Sequence, residues 1–279
     1  MIVNMDTEHP DQVPVKDAAT VMLVRDGSDG LEVFMLQRNL NSDFVGGAYV
    51  FPGGAVDHSD GSVDAAHYCR GRSAESASQL LDVTTGGLAF WVAAIRESFE
   101  EAGLLFAVDT DGNDLRFDDP ALEARFIEHR RRVDSGEISL HQVCDEESLM
   151  LRVDEMHYFS RWITPFGAPR RYDTRFFVGA APAGQTPLHD DHEVIANLWI
   201  RPQDALQQHH DGKFQLIFPT VRSLEALTQF DTAQHVIDHA GAIARIDPIL
   251  PTIVERDGAL RIVLPNDEEY DAITSARLR

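Results

Sequence analysis

Two cysteines stand in 279 residues, Cys69 and Cys144, too few for a disulfide framework and in no spacing that suits zinc. No apolar run approaches the length that crosses a bilayer, and no N-terminal signal pattern is present. The sequence therefore reads as cytoplasmic, with no membrane partner. Positive charge is scarce as well: 24 Lys and Arg against 46 Asp and Glu leave a net charge of -22. Affinity for nucleic acid rests on Lys and Arg meeting phosphates, so a chain this acidic is a poor general binder of DNA or RNA. An anionic substrate would have to be met by a few local arginines or by bound metal. What remains is ordinary. Hydrophobic content of 43% and charged content of 25% belong to a globular protein able to bury a full core, with no internal repeat.

The most informative stretch runs from Leu88 to Leu104. Leu88, Trp91, Val92, Ile95, Phe99 and Ala102 recur at helical spacing and predict one apolar stripe, started near Thr84-Thr85-Gly86-Gly87 and stopped at Gly103. Glu97, Glu100 and Glu101 fall on the opposite face. That face is unfavourable in isolation, because Glu97 repels both partners at roughly 0.2–0.5 kcal/mol per pair. Carboxylates also sit poorly at a helix C-terminus, where the dipole favours cations. The triplet is either a solvated acidic face or a site for something positive, with Arg96 one candidate and a divalent metal another.

Around this helix the chain alternates strands and helices. Residues 1–17 read as a loose tail. Ala18 to Arg25 and Leu31 to Arg38 predict a hairpin about Asp26-Gly27-Ser28-Asp29-Gly30, and Tyr49-Val50-Phe51 a third strand stopped by Pro52-Gly53-Gly54. Two glycines there let the backbone bend tightly and approach a ligand, with the carboxylates of Asp57 and Asp60 just beyond.

Together these residues resemble the signature box of the Nudix hydrolases, G-x5-E-x7-R-E-U-x-E-E-x-G-U, with U a bulky aliphatic. Gly54 stands as the first Gly and Asp60 where the first Glu belongs. Arg96, Glu97, Glu100, Glu101, Gly103 and Leu104 match the second half. There are three departures. Asp60 replaces Glu, Ser98 replaces an aliphatic residue, and 35 residues separate Asp60 from Arg96 where the pattern has seven. The box is thus split by an insertion of about 28 residues, lying roughly over 61–85, a length that surface loops tolerate because closure entropy grows slowly. Its residues Ser73 to Leu81 are expected to form a short helix beside the metal site. A split box of this kind is similar to the branch that includes peroxisomal coenzyme A diphosphatases, as are Val50-Phe51-Pro52-Gly53-Gly54 and Tyr172-Asp173-Thr174-Arg175-Phe176-Phe177.

Beyond the box, Leu105-Phe106-Ala107 is expected to return as a strand, and Ala121 to Val133 and Ile138 to Leu151 as helices, a helical segment over about 118–151. Met156 to Thr164, Thr174 to Ala180 and Val194 to Ile200 predict strands. Pro202 to His210, Phe218 to Phe230 and Thr232 to Ala244 predict helices. A last hairpin is expected over Ile249 to Leu264, and 266–279 as a tail. Arg170, Arg171 and Arg175 cluster in a chain short of cations; they would clamp a pyrophosphate or pair with surface acids. Phe214 and Phe218 would stack on a base or fill core.

The resemblance implies an α/β/α sandwich, an α/β fold with a mixed sheet and helical insertions, in one domain over 18–265. It implies hydrolysis of the pyrophosphate bond of a nucleoside diphosphate linked to another moiety, coenzyme A or acyl-coenzyme A first. ADP-ribose, NADH or a nucleotide-sugar is the alternative, as is a nucleotide sensor without turnover. Glu97, Glu100 and Glu101 would hold Mg²⁺ or Mn²⁺, Arg96 would orient Glu97, and Gly53 and Gly54 would shape the substrate loop. Asp57 and Asp60 would extend the acidic wall, and Glu193 or Glu97 would take the proton. The expected partner is a small nucleotide, with a homodimer allowed.

Overall fold

The computed structural model describes residues 13–39, 46–61, 65–187, 194–256, 258–271 and 274. The first two strands, β1 (Val15–Gly27) and β2 (Gly30–Arg38), form the expected antiparallel hairpin, with Val24 opposite Val33 and Gly27 opposite Gly30. Short strands β3 (Tyr49–Val50) and β4 (Gly53–Ala55) then add to β2 and β1, and a 3-10 turn covers His58–Gly61.

The inserted stretch forms α1 (Ala65–Tyr68), β5 (Cys69–Arg70) and α2 (Ala74–Leu81), and leads into α3 (Leu88–Ala102). After it come β6 (Ala107–Val108), α4 (Pro120–Asp134), α5 (Leu140–Glu147) and β7 (Met150–Arg152). Strands β8 (His157–Ile163), β9 (Arg171–Ala180) and β10 (Val194–Ile200) return to the main sheet. Helices α6 (Pro202–His210), α7 (Phe218–Leu227) and α8 (Ala233–Gly241) follow, and β11 (Thr252–Arg256) and β12 (Ala259–Val263) close the chain as a hairpin.

The main sheet runs β10-β2-β1-β9-β8 and is mixed, since β1 pairs with β9 in parallel and the other pairs are antiparallel. Side chains alternate between its faces as the pleat requires. Ala19, Val21, Leu23, Phe34 and Leu36 join one core with α2, α3, α4 and α5; Met22, Val24, Val33 and Met35 join the other with α6, α7 and α8. The result is the α/β/α sandwich that the resemblance implied.

Several expectations are corrected. Strand β1 starts at Val15, not Ala18, because its parallel ladder with β9 extends to the pair Val15–Arg171. Leu105 and Phe106 are buried without being strand, and the predicted helix over 138–151 ends at Glu147. It gives way to β7, which with β5 and β6 makes a separate three-stranded sheet. The C-terminal tail is tied at Tyr270, whose hydroxyl donates to the Leu250 carbonyl at 2.7 Å. Phe214 fills core, stacked 3.8 Å from Tyr49.

Candidate active site

Helix α3 is buried almost all round, not along one stripe. Trp91, Ala93, Ala94, Ile95 and Ala102 are closed to solvent, and Glu101 is only 8% exposed. The helix crosses the sheet: Phe90, near its start, lies under the guanidinium of Arg175 on β9, whereas Glu97 and Glu101 reach β4. Its C-terminus closes on Gly103 at φ 70, a left-handed turn that glycine adopts without a Cβ penalty.

That crossing brings the last turn of α3 against the Pro-Gly-Gly turn. Glu101 Oε2 accepts a hydrogen bond from the Gly53 N–H at 2.9 Å. Glu97 presses on Gly54 so closely that a Cβ there would lie 2.3 Å from Glu97 Oε1. The second glycine is therefore required by the close approach of the Glu97 carboxylate.

Arg96 is the hub. Its Nε and Nη2 donate to the two oxygens of Asp60 at 2.9 and 3.0 Å, a two-pronged pairing in which Asp60 is 1% exposed. Nη2 also donates to the Ala55 carbonyl, and Nη1 to Glu97 Oε1 at 2.9 Å and Glu100 Oε2 at 2.8 Å. Burial opposes the charge of Arg96, but Asp60, Glu97 and Glu100 outweigh it and hold the guanidinium above its usual range. Burial pushes the Glu100 carboxyl up to about 8 against the pull of Arg96, with Glu97 adding to the rise.

Among the described residues, no three His, Cys, Asp or Glu side chains converge as a ready metal cage. Glu97 and Glu100 meet instead at Arg96 Nη1, and Glu101 turns to Gly53. The set nevertheless fits Mg²⁺ or Mn²⁺ by chemistry, since it is all hard carboxylate oxygen and two members already converge on one positive centre.

The remaining expected residues are placed differently. Asp60 is no part of a solvent-facing acidic wall; it is buried and holds Arg96, while Asp57 is exposed and donates its N–H to Asp60 Oδ2. Arg170, Arg171 and Arg175 do not gather as a clamp. Arg175 is 2% exposed and paired with Asp17 and Asp173, and Arg171 is stacked on Phe166 and bonded to the Thr164 carbonyl. Only Arg170 of the three is exposed. Helix α2 is not beside the carboxylates: Ser78 Oγ accepts from the Gly87 N–H, at the opposite end of α3, roughly 15 Å away along its axis. Glu193 lies outside the described residues.

One cation escaped the reading of the sequence. By strand alternation Arg38 shares the face of Phe34 and Leu36, and among the described residues its buried Nε has no hydrogen-bond partner. The available signal was a lone arginine ending an apolar strand.

The family model for the NUDT19 Nudix domain matches residues 69–227, more than half of the chain. The chain belongs to this family. It is a Nudix pyrophosphohydrolase. The acyl-coenzyme A diphosphatase NUDT19 of Gallus gallus is 30% identical over 277 residues, covering 86% of this chain and 72% of that protein. Its Homo sapiens counterpart is 27% identical, covering 87% and 73%. Among solved structures, a NUDIX hydrolase from Alicyclobacillus acidocaldarius is similar at a TM-score of 0.67 and 25% identity, covering 85% of this chain and 100% of that one. Although 35 residues separate them in sequence, Asp60 and Arg96 meet in the fold.

Proposed function

We propose that the chain hydrolyses the diphosphate bridge of coenzyme A or an acyl-coenzyme A, releasing 3′,5′-ADP and the corresponding phosphopantetheine. The observation that carries the chemistry is the convergence of Glu97 and Glu100 on Arg96 beside the Gly53-Gly54 turn. The substrate class rests on the relatives, which are named as acyl-coenzyme A diphosphatases.

Glu97, Glu100 and Glu101 would hold Mg²⁺ or Mn²⁺, which when bound neutralises diphosphate charge and acidifies water. The protein's own work is positional. The Asp60 pair fixes Arg96, Arg96 fixes Glu97 and Glu100, and the glycine turn lets the diphosphate approach β4 closely. Arg38 adds a cation on the same face of the sheet. Water adds to one phosphorus as the bridging P–O bond breaks, and the water's proton passes to a carboxylate. Glu97 is the candidate in the described structure, and Glu193 the candidate outside it.

The test is hydrolysis of coenzyme A, acetyl-coenzyme A, ADP-ribose and NADH with Mg²⁺ or Mn²⁺, beside Glu100→Gln. Formation of 3′,5′-ADP that Glu100→Gln abolishes supports the reading. Turnover of ADP-ribose or NADH alone keeps the chemistry and sinks the substrate class. Nucleotide binding without turnover of any of the four points to a sensor.

A further inference from the structure

The helical segment between α3 and β8 carries four arginines on one helix: Arg125, Arg130, Arg131 and Arg132 of α4. Three of them face carboxylates of their own segment. Arg125 pairs with Glu147, Arg131 with Glu128 and Glu137, and Arg132 with Glu137 and Glu146. Arg130 does not. It shares a face with Phe126 and Val133, the side of α4 that packs on α3, where Phe126 lies edge-on to Phe99.

From there Arg130 reaches the end of the catalytic helix. The last carbonyls of a helix lack intrahelical partners. In α3 the turn at Gly103 satisfies two of them, since Gly103 N–H bonds to Phe99 O and Leu104 N–H to Ser98 O. The next carbonyl is that of Glu100, and Arg130 Nε donates to it at 2.8 Å. The guanidinium lies across Gly103, where even a Cβ would come within 3.5 Å of Arg130 Nη1. A cation at this end also suits the helix dipole.

We propose that Arg130 is a positioning residue for the metal-binding carboxylates. It acts on substrate only through α3, by locking the turn from which Glu100 and Glu101 project. The inserted helical segment is thus part of the machinery of the site, although none of its residues belongs to the box. The proposal rests on the assignment of the α3 carboxylates to metal, and not on coenzyme A as substrate.

The test is Mn²⁺ binding to the full chain without substrate, followed by electron paramagnetic resonance, in Arg130→Met, Arg130→Lys and Arg131→Met. Arg130→Met is expected to weaken Mn²⁺ binding about tenfold, the size of effect seen when a partner that orients a ligand is lost. Arg130→Lys, which keeps a cation beside the Glu100 carbonyl, should recover part of it, and Arg131→Met should bind as the wild type. If Arg130→Met fails to fold, Arg130→Lys and Arg130→Gln carry the comparison. Wild-type Mn²⁺ affinity in the folded Arg130 variants, with only a lower melting temperature, would reduce Arg130 to a packing role. An equal loss in Arg131→Met would show a general charge effect and overturn the proposal. Loss of Mn²⁺ binding in Glu100→Gln separates the two readings, since it tests the metal assignment alone.

Discussion

The carboxylate of Glu101 and the backbone N–H of Gly53 meet at 2.9 Å across 48 positions of sequence. Their bond ties the end of α3 to β4, and β4 is itself paired with β1 through Gly53–Thr20 and Gly54–Ala19. Helix α3 is therefore registered against the sheet at the Pro-Gly-Gly turn, where the proposed function puts the diphosphate.

Gly54→Ala is expected to lower turnover by about 100-fold, because a misplacement of about 1 Å near reacting groups costs that much. The new methyl would have to displace Glu97, whose Oε1 is 2.3 Å from its position. Circular dichroism should stay that of the folded protein. Wild-type turnover in a folded Gly54→Ala would mean that Glu97 can leave this place at no cost.

Arg96→Met should destabilise the fold by about 3–5 kcal/mol, the penalty for removing one partner of a buried ion pair. It leaves Asp60, 1% exposed, with its charge unmatched. Urea unfolding reads the loss. The double variant Arg96→Met with Asp60→Leu should regain part of it while remaining inactive. A change near zero in the single variant would show that the pair contributes nothing to folding.

These two contacts mark the boundary of what the sequence made legible. The second half of the box was readable because Arg96, Glu97, Glu100 and Glu101 are neighbours on one helix, where spacing alone sets their geometry. The first hairpin was readable because its strands are short apolar runs bounded by turn residues, but Val33 to Leu36 are buried on both faces of the sheet, so the run carries no period-2 signal of which face is which. Asp60 was read as part of the acidic wall, and its buried pairing with Arg96 was not legible because 35 residues separate the two; only the closed chain shows them 2.9 Å apart. For Arg175 two roles stood open, a clamp on pyrophosphate or a pair with acids, and the fold shows the second. A charged residue in an apolar strand looks like a site until Asp17 and Asp173, one of them from a parallel neighbour, are found against it.

Cys69 and Cys144 should resist thiol reagents in the native state. Burial pushes both thiols up to about 12, so near pH 8 only roughly one in 10⁴ is thiolate. Ellman's reagent is expected to count no thiol in the native protein and two in denaturant. Rapid native labelling of either would place it at the surface.

Stability should fall in mildly acidic buffer, partly through His157. Burial, with Arg72 nearby, lowers its pKa below the ordinary 6.5. The folded state then binds fewer protons than the unfolded chain, so this contribution is complete above pH 6.5 and is lost as pH falls through the folded value. Urea midpoints from pH 7.5 to 5.5 should drop less in His157→Gln than in the wild type. Parallel curves would assign the acid sensitivity to other groups.

The parallel pairing of β1 with β9 also governs the order in which the protein can be made. A chain growing from its N-terminus presents Asp60, Arg96 and all three α3 glutamates before β9 exists, and β1 waits with one edge bare. Long-range pairing of this sort pays its closure entropy before it is rewarded. The carboxylates are thus synthesised early and organised late, so the nascent protein passes the ribosome without a working centre. Truncations that stop short of Arg171 would keep every residue of the box and lose the strand that holds its floor in place.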